Sequence, residues 1–277
     1  MKIYNLRALS SGERLGETLT RVTKLPGDML AKLLEYGAVQ ARFRGKGAWE
    51  RVRDPRLKLD VTDEVKACYD PRILAIPPFT EAQCVAQNKE YGVWVKPAGV
   101  MAQGTDAGDH CTLIYAVEKT GKKVFPVHRL DRETEGLMVV AYSSSAAAEL
   151  SRLFQDQAVR KTYMAIVAGE ISYLGVGTEG SFTDPLDGKK AETRYRVLEL
   201  LPGDRLLMEL KPLTGRLHQI RRHLEFVDCG VWGDPKYGKR NKNREGMKLA
   251  ATVLSFVDPW IEEEVTFRYQ ASFVPKV

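Results

Sequence analysis

The feature that most constrains this chain is a row of short apolar runs beginning near Gln83. "KEYGVWVKPAGV", "LMVVAY", "KTYMAIVAGE", "AETRYRVLEL" and "DRLLMELKPL" follow one another, separated by Gly, Pro and Asp. Several of them carry the β-branched and aromatic residues common in strands. Only two helical patterns interrupt the series. "SSSAAAELSRLFQ" puts Ala147, Leu150 and Phe154 on one face behind candidate serine N-caps, and "RLHQIRRHLEF" spaces Leu217, Ile220 and Leu224 at helical intervals. The strands follow one another without regular βαβ alternation. They predict an α+β fold with a mixed, largely antiparallel sheet.

Upstream the pattern changes. "GERLGETLTRV" and "PGDMLAKLLEYG" read as two short helices, the second with Pro26 near its start and Gly37 at its C-terminal cap. "AVQARFRG" then reads as a strand. This unit of residues 1–70 is too small to hold much core of its own. Pro71, Pro77 and Pro78 mark residues 71–83 as a linker, which leaves 84–277 as the larger domain.

Several function classes drop out. No uninterrupted apolar stretch approaches membrane-spanning length, and the N-terminal residues hold no signal-peptide core, so the expectation is a cytoplasmic protein with no membrane partner. Cys68, Cys84, Cys111 and Cys229 lie far apart without a CxxC pair and read as reduced thiols. GxxxxGK[ST], GxGxxG, GxSxG and HExxH are all missing. His218 and His223 stand five residues apart, which does not give zinc ligands a common helix face. No metal and no cofactor are expected.

Charge is more informative. The net charge of +6 is moderate, but "KYGKRNKNREGMK" (236–248) carries six basic residues against Glu245 alone. Such a run is either a solvated loop or an edge that meets nucleic-acid phosphates, through Lys239, Arg240 and Lys242 among others. In "PVHRLDRETEGLMVVA", Asp131 sits between Arg129 and Arg132 at the mouth of a hydrophobic strand. "LKPLTGRLHQIRRHLEF" concentrates Arg216, Arg221 and Arg222 in one turn-helix unit. A guanidinium binds two oxygens at once, which makes this helix a candidate partner for Asp131. Tyr163, on the alternating strand "RKTYMAIVAG", would by itself be a sheet-face residue.

Together these stretches resemble the RluA family of RNA pseudouridine synthases. "HRLDRETEGL" at 128–137 is similar to the family's motif around its catalytic aspartate, with Glu135 where a Ser is usual. Lys161 and Tyr163 match a KxY strand, "TGRLHQIRRHL" a TGRxHQIRxHL segment, and "GDPKYG" a GDxxYG element. "VWVKPAGVMAQG" resembles the first KPxG element, and "AATVLSFVDP" a late strand whose usual His-Ala pair reads Ala250-Ala251. The order and spacing match over roughly residues 90–259. The N-terminal unit resembles a divergent S4-type RNA-binding domain.

The resemblance implies an isomerase that breaks the N1–C1′ bond of a uridine, turns the base and rejoins it through C5. Asp131 would be the catalytic carboxylate, Arg221 its charged partner, and Tyr163 the ring that stacks on the extruded uracil or moves its proton. RNA contacts fall to Arg129, Arg132, Arg216, His218, Gln219 and Arg222, and to Ile220 as an apolar wall, with Lys239, Arg240 and Lys242 beyond them. The expected partner is structured RNA, ribosomal RNA ahead of transfer RNA, bound by a monomer. Two rivals stand beside this reading. One is a non-catalytic RNA binder on the same fold; the other is a hydrolase that pairs Asp131 with a second acid, for which Glu135 is the local candidate.

Overall fold

The computed structural model describes residues 1–169, 174–239 and 241–274. The chain forms two compact units: Met1–Glu81 with Gln103–Gly121, and Ala82–Ala102 with Lys122–Val277.

In the first unit, strand β1 (Lys2–Leu6) leads to helices α1 (Leu15–Thr23) and α2 (Gly27–Glu35). Strands β2 (Val39–Arg42), β3 (Glu50–Arg51) and β4 (Glu64–Tyr69) follow, and the antiparallel sheet has the order β1-β4-β2-β3. Leu15, Leu19, Leu33 and Leu34 from the two helices pack on Val39, Val65 and Ala67 of the sheet. Gly37 ends α2 at φ +69°, a left-handed position where a side chain is costly.

The sequence-based boundary needs correction here. Residues 71–81 are no free linker: Asp70 caps the short helix α3 (Pro71–Leu74), and Phe79 N–H and Ile76 C=O bond the backbone and ring of His110. Residues 103–121, expected in the larger domain, pack into the first unit. There the Asp109 carboxylate accepts from Arg53 at 2.7 and 2.8 Å, Asp106 accepts from Lys66 at 3.0 Å, and His110 stacks on Tyr36 at 3.7 Å. Helix α4 (Leu113–Glu118), capped by Thr112, completes the excursion. Ion pairs anchor the segment together with the buried apolar residues Leu113, Tyr115, Ala116 and Val117 of α4.

The second unit holds strands β5 (Gln83–Gln87), β6 (Tyr91–Lys96), β7 (Phe125–Pro126) and β8 (Glu135–Ala141), then helix α5 (Ser144–Gln155). It continues through β9 (Arg160–Gly169), β10 (Glu179–Phe182), β11 (Thr193–Leu201) and β12 (Arg205–Pro212) to helix α6 (Gln219–Phe226). Strands β13 (Cys229–Val231), β14 (Leu249–Val257) and β15 (Glu264–Arg268) finish it. The main path runs β10-β11-β12-β9-β14-β8-β6-β5, with β13 on β9, β15 on β14 and β7 on β8. Among the described strands only β14 and β8 pair in parallel, so the mixed, largely antiparallel α+β sheet is as expected.

Two apolar clusters pin this sheet. Leu137, Val139, Ala146, Leu150 and Leu254 join α5 to β8 and β14, with Ser143 capping α5 as its sequence suggests. Ala165, Met208, Ile220, Leu224 and Leu249 join α6 to β9, β12 and β14. Strand β8 is buried along its whole length, which explains why "LMVVA" lacks alternation.

Gly136, at φ +116°, lies where β8 meets β14; a Cβ there would stand 2.2 Å from the Ala251 carbonyl oxygen. Backbone cannot step aside as a side chain can. Gly136→Ala is therefore expected to cost about 2 kcal/mol or more, read as a lower denaturation midpoint at unchanged m-value.

Candidate active site

Asp131 sits on the loop between β7 and β8, and the loop is tied down from several sides. Its own carbonyl accepts from Thr134 N–H at 3.1 Å. The next carbonyl, of Arg132, accepts from Gly99 N–H at 2.8 Å and from Lys96 Nζ at 3.1 Å. Lys96 is fully buried and also donates to the carbonyls of Pro97 and Val100. Burial lowers its pKa to about 7, against the nearby charges of Glu133, Asp131 and Glu135. On the approach, His128 Nε2 accepts from Val139 N–H at 2.9 Å while its ring stacks on Phe154 at 4.2 Å. Burial and the Lys161 charge push that ring down to about 3, so it is neutral and suited to accept.

Arg221 reaches Asp131 from the first turn of α6, 90 residues away. Its Nη1 donates to Asp131 Oδ2 at 2.8 Å. Its Nε and Nη2 clasp Asp234 at 2.6 and 2.8 Å, and Asp234 also accepts from the N–H groups of Lys236 and Tyr237. Burial alone would weaken the guanidinium's charge, yet the hydrogen bonds of Asp234 and Asp131 more than offset it and raise its pKa. Burial likewise disfavours the Asp234 carboxylate, but Arg221 and the two N–H groups hold its pKa below the usual range. The Arg221 guanidinium lies 5.1 Å from the centre of the Tyr237 ring.

His218 begins α6 at φ +52°, a conformation that leaves its Nε2 3.7 Å from Asp131 Oδ1 and its Nδ1 3.0 Å from Tyr237 Oη. Burial lowers its pKa against the pull of Asp131. Tyr163 comes from β9, next to a bulge in β14 between Ala251 and Val253; bulges of this kind re-aim side chains near sites. Burial, and then the Asp131 charge, raise the pKa of its phenol, which stays protonated. Asp131, Arg129, Tyr163, Arg216, His218 and Ile220 all line one cleft of about 460 Å³, and Arg221 forms part of its floor.

The remaining expected contacts divide. Arg129 is exposed at the cleft, and Arg216 reaches it while bonding the Lys190 carbonyl. Arg132 is exposed and pairs with Glu133. Arg222 pairs with Asp187 at 2.9 and 3.0 Å. Gln219 lines the cleft and also braces it: its amide bonds Thr214, the Arg216 N–H, the Glu192 carbonyl and Thr193. Lys242 is exposed, and its ammonium donates to the carbonyls of Asp234 and Tyr237. Lys239 is exposed, and Arg240 lies outside the described residues.

Glu135 does not serve as the second acid. It is buried at the start of β8 with Oε1 lacking a hydrogen-bond partner among the described residues, and burial raises its pKa. Asp131 is the one carboxylate among the described residues lining the cleft. Three residues escaped the sequence reading. In the sequence Asp234 is visible only as part of a matching element, Lys96 lies inside an apolar strand, and Lys161 carries no signal beyond the KxY match.

The family model described as RNA pseudouridylate synthase matches residues 90–226. A tRNA pseudouridine synthase C of Vibrio vulnificus is 33% identical over 223 residues, covering 69% of this chain and 91% of its own. A ribosomal large subunit pseudouridine synthase C of Rickettsia conorii is 35% identical over 217 residues, 73% of this chain and 71% of that one. Among solved structures, the human protein described as RNA pseudouridylate synthase domain containing 1 superposes with a TM-score of 0.61 at 25% identity, covering 72% of this chain and 88% of that one. The chain belongs to the RNA pseudouridylate synthase family.

Proposed function

We propose that Asp131 is the carboxylate that acts on the sugar when this RNA pseudouridine synthase isomerises uridine, with Arg221 as its charged partner and Tyr163 as the ring beside the base. The observation that carries this is the 2.8 Å bond from Arg221 to Asp131 on the floor of a cleft that Tyr163 also lines. A cleft with a single carboxylate among the described residues supports isomerisation over hydrolysis by paired acids, which needs two. The target uridine has to leave its stack to reach Asp131, at a cost of a few kcal/mol that contacts along the RNA backbone offset. Arg129, Arg216 and Lys239 supply positive charge for those contacts, and the N-terminal unit, read as an S4-type RNA-binding domain, supplies more.

The substrate proposed is a structured RNA, ribosomal RNA first. A relative described as acting on the ribosomal large subunit and another described as acting on tRNA match to similar extents, so tRNA is the second reading. The enzyme is proposed to work as a monomer in the cytoplasm. Mapping pseudouridine in total RNA from a strain lacking this protein identifies the site: one or a few positions revert to uridine, and restoring the wild-type chain restores them. A strain with an unchanged map overturns the reading.

Asp131→Asn keeps shape and hydrogen bonding but removes the charge. It is expected to lower single-turnover pseudouridine formation by about 10³-fold or more with RNA affinity nearly unchanged; activity within about tenfold of wild type, some 1.4 kcal/mol in barrier, rules out a direct chemical role. Arg221→Lys keeps charge without the planar fork and should retain part of the rate, whereas Arg221→Ala, which leaves Asp131 and buried Asp234 without their partner, should lose far more. For Arg129→Gln, RNA affinity is expected to fall alike for all sequences and the slope of log affinity against log salt to drop by about 1, as for one lost phosphate contact.

A further inference from the structure

Lys161 precedes Tyr163 by two positions on β9, so the two side chains share one face of the strand, and both line the Asp131 cleft. The lysine's surroundings are unusual for a cation. The cleft wall near it includes Phe154, Leu249 and Ile220, and the cleft's one described carboxylate, Asp131, is engaged by Arg221. Among the described residues the Lys161 ammonium has no hydrogen-bond or carboxylate partner. Its only charge effect of note is on the His128 ring, which it repels and which cannot serve as a counter-ion. Burial alone lowers the lysine's pKa, with no anion to oppose it. A half-buried charge left unpaired is a cost to the fold, and such a cost is kept where a ligand supplies the missing negative charge.

Pseudouridine formation generates such a charge in this cleft. When the C1′–N1 bond breaks, its electron pair leaves with the base, on N1 and spread onto O2 and O4. The base turns, C5 bonds C1′, the C5 proton is released and N1 ends protonated, so the isomerisation balances without oxidant or co-reactant. On the reading that Asp131 faces the sugar, the cleft wall beside Tyr163 is where the detached base lies. We propose that Lys161 is a catalytic residue that contacts the uracil and stabilises the negative charge on it while it is detached. The cation comes preorganised in a water-poor site, where a fixed charge acts most strongly on developing charge. Before the bond breaks the base is neutral, so the interaction favours the transition state over bound substrate.

The test uses the full-length chain with Lys161→Met and Lys161→Arg, and total RNA from the deletion strain as substrate. Pseudouridine is read at the mapped position, and affinity is measured on a transcript spanning it. Lys161→Met is expected to slow single-turnover formation by roughly 10²-fold at saturating RNA, the scale of losing one preorganised charge-stabilising group. RNA affinity should stay within about threefold. Lys161→Arg, which keeps the charge, should recover most of the rate. Thermal melting adds a readout that a merely structural lysine would not give: removing an unpaired charge should leave the Tm of Lys161→Met equal to or above wild type. A Lys161→Met rate within about threefold of wild type overturns the inference, as does a rate loss matched by the loss of affinity or a Lys161→Arg variant no better than Met. None of those results touches the assignment of Asp131, since wild type still converts the mapped uridine. A wild type that forms no pseudouridine fails the parent reading and this inference with it.

Discussion

The site depends on one guanidinium shared between two carboxylates. Arg221 gives two of its nitrogens to Asp234 and one to Asp131, and only 3% of its side chain meets solvent. A lysine could not do this, because a point charge has no fixed fork to divide. The division is unequal in a useful way. Asp234 is fully buried and saturated by Arg221 and two backbone N–H groups, so it fixes the arginine; Asp131 is left with one strong bond, and its carboxylate stays partly open to the cleft. A buried ion pair is weak grounds for stability, since desolvation offsets much of the attraction. Here its worth lies in orientation.

The same loop is held from behind by a second buried cation. Lys96 gathers the carbonyls of Pro97, Val100 and Arg132, which joins the end of β6 to the residue after Asp131. Carbonyls solvate an ammonium less well than water does, consistent with a pKa lowered to about 7. The carboxylate is thus positioned through its side chain by α6 and through its backbone by β6, two elements of one sheet-based unit. Support of this sort from two elements holds the carboxylate in one geometry.

Much of this was legible in the residues. Short punctuated apolar runs gave the antiparallel sheet, Ser143 and Gly37 marked helix ends, and the arginine-rich segment pointed to a partner for Asp131. Three things were not. The bonds that Gln219 makes to Glu192 and Thr193, and Lys242 to the Tyr237 carbonyl, form only once the chain folds. Residues 103–121 join the first unit in part through Asp106, Asp109 and His110, contacts with partners 56 to 74 positions away that no local pattern records. Glu135 looked available to Asp131 but begins a fully buried strand.

The sequence by itself carried the resemblance to the family, the largely antiparallel sheet and the motif around Asp131, because each rests on residue types at fixed short spacing. Only the tertiary structure supplied the 2.8 Å contact by which Arg221 meets Asp131 as its sequence motif implies, the anchoring of that arginine by Asp234, and the lack of a counter-ion for Lys161 among the described residues. These are statements about which charges share a low-dielectric space, and sequence separation says nothing about that. Pairing energy depends on distance and burial, and the sheet sets both.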